Sequence, residues 1–274
     1  MSANGGPWAK LARLRRSRSS AILAYHGVQR LSQEDDPELL CIDPDLFEAH
    51  ISVLLEAGYE FLTVRDYVNR PERGGLVAIT FDDGLENLRT VALPLLQKLG
   101  VPATVYVQTG IIGEPYPWAL EQSGLRIMSA DQIRELDAAG IEIGAHTVTH
   151  RDLSACSYEE ALDEMVQSRQ ALEEIIDRPV TTFAYPYARY SDSAERAAKD
   201  AGFTAALSYS MLTDGRSKYA LSRELVTPQH GRGSVVLKVL GLYDRVTQSS
   251  AGTALRALTR PLRKRPGEPI KERE

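Results

Sequence analysis

Apolar positions along the 274-residue chain fall into short runs separated by longer amphipathic stretches. The runs 21–25 (AILAY), 76–81 (LVAITF), 103–108, 141–144, 181–185 and 203–208 read as strands, with a weaker one near 225–226. Between them the apolar residues recur with a helical period. Segment 45–57 ends at Gly58 and segment 86–99 at Gly100, both good helix terminators, and Pro94 predicts a kink in the second. Ser129 with Gln132, and Ser157 with Glu160, are capping-box pairs that predict helices running to about Ala139 and Asp177. Asp192 with Glu195 opens another, stopped by Gly202. Alternating strands and helices predict a parallel sheet. Seven strands fit a closed or nearly closed barrel, with an open doubly wound sheet as the alternative the pattern leaves standing.

A hydrophobic content of 43% in a chain of this length supplies one large core. One catalytic domain is therefore expected, spanning 20–247, between a basic N-terminal tail (1–19) and a basic C-terminal tail (248–274). The net charge of −5 gives no reason to expect a nucleic-acid partner. Positive charge concentrates in KLARLRRSR (10–18) and RALTRPLRKR (256–265), read as solvated, poorly ordered tails, with membrane contact through anionic lipid as the alternative. No apolar run reaches the roughly 18 residues of a membrane span, and the piece 21–25 is too brief for a signal-sequence core. A cytoplasmic protein is the expectation. Cys41 and Cys156 sit in no metal or redox spacing and read as ordinary thiols.

Candidate chemistry gathers at strand ends. The run AILAY is followed by His26, VAITF by Asp82 and Asp83, IEIGA by His146, and TTFA by Tyr185-Pro186-Tyr187. Four strands thus carry unusual residues at their C-terminal ends, where parallel α/β folds place active sites. Turn chemistry at Asp83-Gly84 accounts for one aspartate and leaves the other unexplained. In HTVTH, His146 and His150 are spaced so that a helical turn or a tight loop aims both imidazoles at one point, the alternative being capping or surface residues. Joined by an aspartate from another strand, they make a two-His-one-Asp metal site with positions left open. Adjacent aspartates diverge, so one ligates while its neighbour takes the proton of the attacking water.

The motifs TFDDG (80–84), HTVTH (146–150) and FAYPYA (183–188) resemble the first three motifs of the polysaccharide deacetylase family, carbohydrate esterase family 4, over roughly residues 20 to 230. The resemblance implies an α/β fold, a distorted (β/α)7 TIM-like barrel in a single domain. It implies metal-dependent hydrolysis of the N-acetyl group of acetamido sugars, with an acetylated amino-sugar glycan as partner. Asp82 then matches the catalytic base, and Asp83, His146 and His150 match the ligands of a divalent metal, zinc first, cobalt or nickel otherwise. A backbone N–H at or just after Tyr187 would share the oxyanion charge.

Two departures stand out. Ala184 occupies the place of the third motif's arginine, and Arg223 is expected to orient the base instead, as in exopolysaccharide-type deacetylases, which YHGV (25–28) also resembles. The alternative is a surface arginine. The family's late aspartate-tryptophan motif is missing and no leucine precedes the one late histidine, so His230 is the candidate general acid, or else a loop histidine of no catalytic consequence, and His26 is its rival, or else a residue of the sugar pocket. His50 is read as structural or solvated. Tyr185, Pro186, Tyr187 and Trp118 are candidate substrate contacts, with Tyr116 and Phe81 nearby, although Phe81 and Tyr185 also suit core packing. An amide hydrolase with a non-sugar substrate and a non-catalytic carbohydrate-binding relative are the competing readings.

Overall fold

The computed structural model describes residues 6–209 and 217–248. Its strands are β1 (Ala21–Tyr25), β2 (Gly27–Val28), β3 (Cys41–Ile42), β4 (Glu60–Leu62), β5 (Leu76–Phe81), β6 (Thr104–Val107), β7 (Glu142–Ala145), β8 (Thr182–Ala184), β9 (Ala205–Tyr209) and β10 (Leu221–Leu225). Strand β1 pairs in parallel with both β10 and β5, and this closes β5-β6-β7-β8-β9-β10-β1 into a seven-stranded barrel. That pairing excludes the open doubly wound sheet. The distortion lies at β5, whose outer edge is shared: β4 pairs along Leu76–Ala78 while β6 pairs only at Thr80 and Phe81.

Around the barrel run α1 (Pro7–Arg15), α2 (Pro44–Glu56), α3 (Val64–Val68), α4 (Leu93–Leu99), α5 (Ala130–Ala138), α6 (Tyr158–Ile176), α7 (Asp192–Asp200), α8 (Arg232–Val239) and α9 (Tyr243–Thr247). Because strand side chains alternate, each strand feeds two cores. Leu23, Tyr25, Ile79, Phe81, Val105 and Phe183 pack under the helices. Ile22, Ala78, Tyr106, Ala184, Leu207 and Leu221 belong to a second cluster that fills the barrel. Burial on both faces explains the continuous apolar runs. The barrel floor is polar: the Thr104 and Thr182 hydroxyls donate to the Glu142 carboxylate at 2.8 and 2.7 Å, and the Arg65 N–H at 2.9 Å.

Both capping boxes form. The cap of α7 is Ser191 rather than Asp192, its side chain accepting from the Ala194 N–H. Pro94 produces its irregularity one turn earlier, where 88–92 wind as a π-helical turn and leave the proline in the first turn of α4, where no N–H is needed. Strand β10 begins at Leu221, not near 225, because it carries Ser222 and Arg223, which break the apolar pattern.

The N-terminal basic segment differs from its expected solvated state. Residues 7–15 form α1, Ala9 and Ala12 are wholly buried, and the helix packs on α2 and α8. The Arg13 and Arg16 side chains donate to the backbone carbonyls of Glu56 and Gly58. Two small residues three apart let the helix approach closely, and the surrounding arginines mask that face in the sequence. The C-terminal basic segment 256–265 lies outside the described residues. Both cysteines are buried free thiols. Among the described residues no helix is long and apolar enough to cross a membrane.

Candidate active site

The two aspartates diverge for a backbone reason. The Asp82 N–H donates to the Tyr25 carbonyl at 2.9 Å, so the β1–β5 ladder runs one residue beyond β5 and alternation turns Asp82, like Thr80, into the barrel. At Asp83 the chain enters the left-handed region, φ 71°, followed by Gly84 at φ 78°. Asp83 is thereby swung out of the strand direction. Gly84 has little room for a side chain, since a Cβ there would lie 3.0 Å from Val107.

Asp82 meets Arg223. From β10 the guanidinium reaches across the barrel, its two terminal nitrogens 2.6 and 2.8 Å from the two Asp82 oxygens and one of them 3.2 Å from the Thr80 hydroxyl. The Arg223 side chain is wholly buried, so it is no surface arginine. Its guanidinium carbon lies 5.1 Å from the centre of the Tyr209 ring and 5.6 Å from that of Tyr106. Gly144 makes room for Tyr106, because a Cβ there would be 2.4 Å from that ring. The Tyr209 hydroxyl donates to Asp82 at 3.3 Å. Burial alone would raise the Asp82 carboxyl, but Arg223, and then His146, hold it below the ordinary carboxylate value.

Asp83, His146 and His150 come together, with ligand atoms all within 4.8 Å of one another. The HTVTH segment is a tight loop rather than a helical turn, with Thr147 at φ 66° and His150 at φ 56°. His146 donates its Nδ1–H to the Ala184 carbonyl at 2.6 Å, and this leaves the Nε2 lone pair facing Asp83 Oδ1 at 3.4 Å. His150 Nε2 lies 3.3 Å from the same oxygen. Asp83 Oδ2 accepts from the Tyr116 hydroxyl at 2.5 Å, whereas Oδ1 is buried and makes no directed hydrogen bond. A buried carboxylate oxygen surrounded by imidazole nitrogens is electron-rich and calls for a cation. Burial would raise the Asp83 carboxyl, whereas His146 and His150, when they carry a proton toward it, hold it well below its usual range. This donor set fits a divalent metal such as zinc. Left-handed backbone at Asp83, Thr147, His150, Tyr187 and Ala188 concentrates strain at this rim.

Aromatic rings flank His150. The Trp118 and Tyr187 rings each lie 4.7 Å from its imidazole and are 41% and 49% exposed, so both face the open side. Tyr116 is buried against Trp118. Tyr185 and Pro186, expected at the substrate, are buried instead. The Tyr185 ring stacks on Tyr190 and its hydroxyl donates to the Tyr219 carbonyl, because alternation along β8 turns it beneath the helices. Phe81 is likewise core, against Tyr25 and Phe47. The Ala188 N–H is taken by the Tyr185 carbonyl at 2.9 Å, so the Tyr187 N–H is the remaining amide of that turn.

The histidines separate cleanly. His26 is half-buried and lies within electrostatic reach of both Asp82 and Asp83. His230 is not brought to the cluster. Its Nδ1 accepts from the Thr227 N–H at 2.9 Å, its ring meets Tyr243, and burial, then Lys238, pushes it down to about 4, which disfavours the imidazolium form a general acid needs. His50 is wholly buried and structural, its Nε2–H donating to the His230 carbonyl at 2.7 Å.

Barrel and rim cluster find their match in a family of hydrolases of carbon–nitrogen bonds. The sequence model of the polysaccharide deacetylase family matches residues 69–206, just over half of the 274, and the chain belongs to that family. The Bacillus subtilis (strain 168) protein YxkH is 27% identical over 214 residues, covering 76% of this chain and 71% of that one. The poly-beta-1,6-N-acetyl-D-glucosamine N-deacetylase of Staphylococcus aureus (strain MRSA252) is 24% identical over 234 residues, 76% of this chain and 79% of that one. The structure of Streptococcus pyogenes deacetylase PplD in complex with acetate superposes with a TM-score of 0.67 at 26% identity, covering 81% of this chain and 97% of that one.

Proposed function

We propose that the protein removes the N-acetyl group from an acetamido sugar in a glycan by metal-assisted hydrolysis. The observation that carries this reading is the convergence of Asp83, His146 and His150 beside an Asp82 that is held apart by Arg223. Asp83, His146 and His150 would hold the ion, with zinc the first choice and cobalt or nickel the alternatives. A divalent ion there supplies Lewis acidity toward the amide carbonyl and toward water.

The remaining steps belong to the chain's own side chains. Asp82, kept ionised by Arg223, accepts the proton of the attacking water as general base. Arg223 fixes the carboxylate plane, and Tyr209 donates to the same oxygen. The Tyr187 N–H offers a hydrogen bond to the carbonyl oxygen as negative charge grows on it. His26, not His230, returns a proton to the leaving amine. Trp118 and Tyr187 form the walls against which a sugar ring stacks.

Purified protein, stripped with a chelator and resupplied with single divalent metals, is expected to release acetate from N-acetylglucosamine oligomers. Asp82→Asn should abolish the release. No acetate with any metal, or unchanged turnover by Asp82→Asn, would overturn the proposal.

A further inference from the structure

His146 and His150 are held in different ways. His146 gives its Nδ1–H to the Ala184 carbonyl, whereas the buried Nδ1 of His150 has no hydrogen-bond partner. A ligating imidazole ordinarily has its outer nitrogen tied to a carbonyl or carboxylate, which fixes the ring direction. Lacking that tie, the His150 ring takes its direction from the flanking Trp118 and Tyr187 rings and from its own backbone.

Glu164 acts on that backbone. It lies on α6, only 8% exposed, and is directed at the loop between the two histidines. Its Oε2 accepts from the Val148 N–H at 2.8 Å and the Thr149 N–H at 2.9 Å, and its Oε1 from the Thr149 hydroxyl at 2.5 Å. Two successive N–H groups converging on one oxygen make an anion-binding nest, filled here by the protein's own carboxylate. From the other side, the N–H groups of Thr109 and Gly110 donate to the carbonyls of Thr147 and Val148 at 3.0 and 2.9 Å. The loop is therefore clasped between two elements while Thr147 and His150 sit in left-handed backbone. Of the two clasps, only the Glu164 one is a side chain and open to substitution.

We infer that Glu164 is a positioning residue for the centre formed by Asp83, His146 and His150: by holding the Val148 and Thr149 amides, it aims the His150 imidazole at the other two. This rests on the metal reading of that cluster. A neutral glutamine keeps an oxygen for the amides and an NH2 for the Thr149 hydroxyl, so it preserves the geometry; alanine removes the acceptor altogether.

The test is divalent-metal affinity, measured by competition with a chromogenic chelator, together with the visible spectrum of the cobalt-loaded protein. Glu164→Ala should bind zinc about 10- to 100-fold more weakly than wild type and show an altered cobalt band, with Glu164→Gln restoring both. Should Glu164→Ala not fold, Glu164→Met, of similar length and without an acceptor, takes its place. Wild-type affinity and spectrum in the alanine or methionine variant would overturn the inference, as would a lower unfolding temperature of the chelated protein with metal affinity unchanged. A wild-type protein that takes up no divalent ion would sink the metal reading and this inference together; tight wild-type binding with unaltered variants would sink only the inference.

Discussion

Asp82 and Arg223 are each buried, and among the described residues each is the other's only opposite charge in direct contact. Removing one partner strands a charge in the barrel, which costs about 3–5 kcal/mol. Arg223→Met and Asp82→Asn are therefore both expected to lose stability on that scale in urea unfolding. The double variant should recover a good part of the loss, giving a large coupling in the double-mutant cycle. Its activity should stay as low as that of Asp82→Asn. Additive losses in the double variant would mean the pair is not energetically coupled. At this scale much of the site could be read from the chain: Asp82, Asp83, His146 and His150 sit in compact motifs, and the missing arginine at Ala184 pointed to Arg223. Tyr209 and Tyr106 could not be read, because their partners lie far away in sequence, and neither could Glu164, whose neighbours look like ordinary helix surface and whose partners are backbone amides that no side-chain pattern marks.

The elements are tied together by histidines that do no chemistry. His50 on α2 donates to the His230 carbonyl in the connection between β10 and α8, and its other nitrogen faces the Tyr25 hydroxyl of β1 at 3.4 Å. Burial pushes His50 from 6.5 down to about 4. The imidazole is neutral in the folded protein, and the unfolded chain takes up its proton first as pH falls. The stability this group contributes is complete above pH 6.5 and is lost between pH 6.5 and 4, about 3 kcal/mol in all. His230, lowered for the same first reason, adds to that slope. The depressed carboxyls of Asp82 and Asp83 act in a separate window, below their usual 3.8. Urea unfolding across pH 4–7 should show the loss, and His50→Gln, which keeps a donor for the His230 carbonyl, should flatten it. An unchanged slope in that variant would assign the acid sensitivity elsewhere. Long elements with strong caps, such as α5 and α6, were legible in the sequence. The short β2, β3, β4 and α3 were not, because two to five residues carry too little periodicity to register.

Taken whole, the molecule is a barrel whose ring closes at β1, directly after the basic segment that the sequence suggested was a tail. Alternating strands and helices showed the parallel sheet, since burial on both strand faces leaves unbroken apolar runs, while its closure into a barrel rests on the β1–β5 pairing, which the pattern alone left open. Charge hid the docking of α1: arginines dominate its composition, and only the spacing of Ala9 and Ala12 carries its buried face. A docked helix and a solvated tail make opposite predictions. Ala12 has no exposed surface, so Ala12→Leu forces extra methylenes into a closed contact, at about 1–3 kcal/mol. For a chain of this size the thermal midpoint should then fall by on the order of 5 °C. Leu14→Ser, two residues away at 83% exposure, should leave it unmoved. Because none of the rim side chains described above is bonded or ring-stacked to α1, acetate release at 25 °C should be the same in both variants and wild type. Equal midpoints for Ala12→Leu and wild type would return the segment to the solvent.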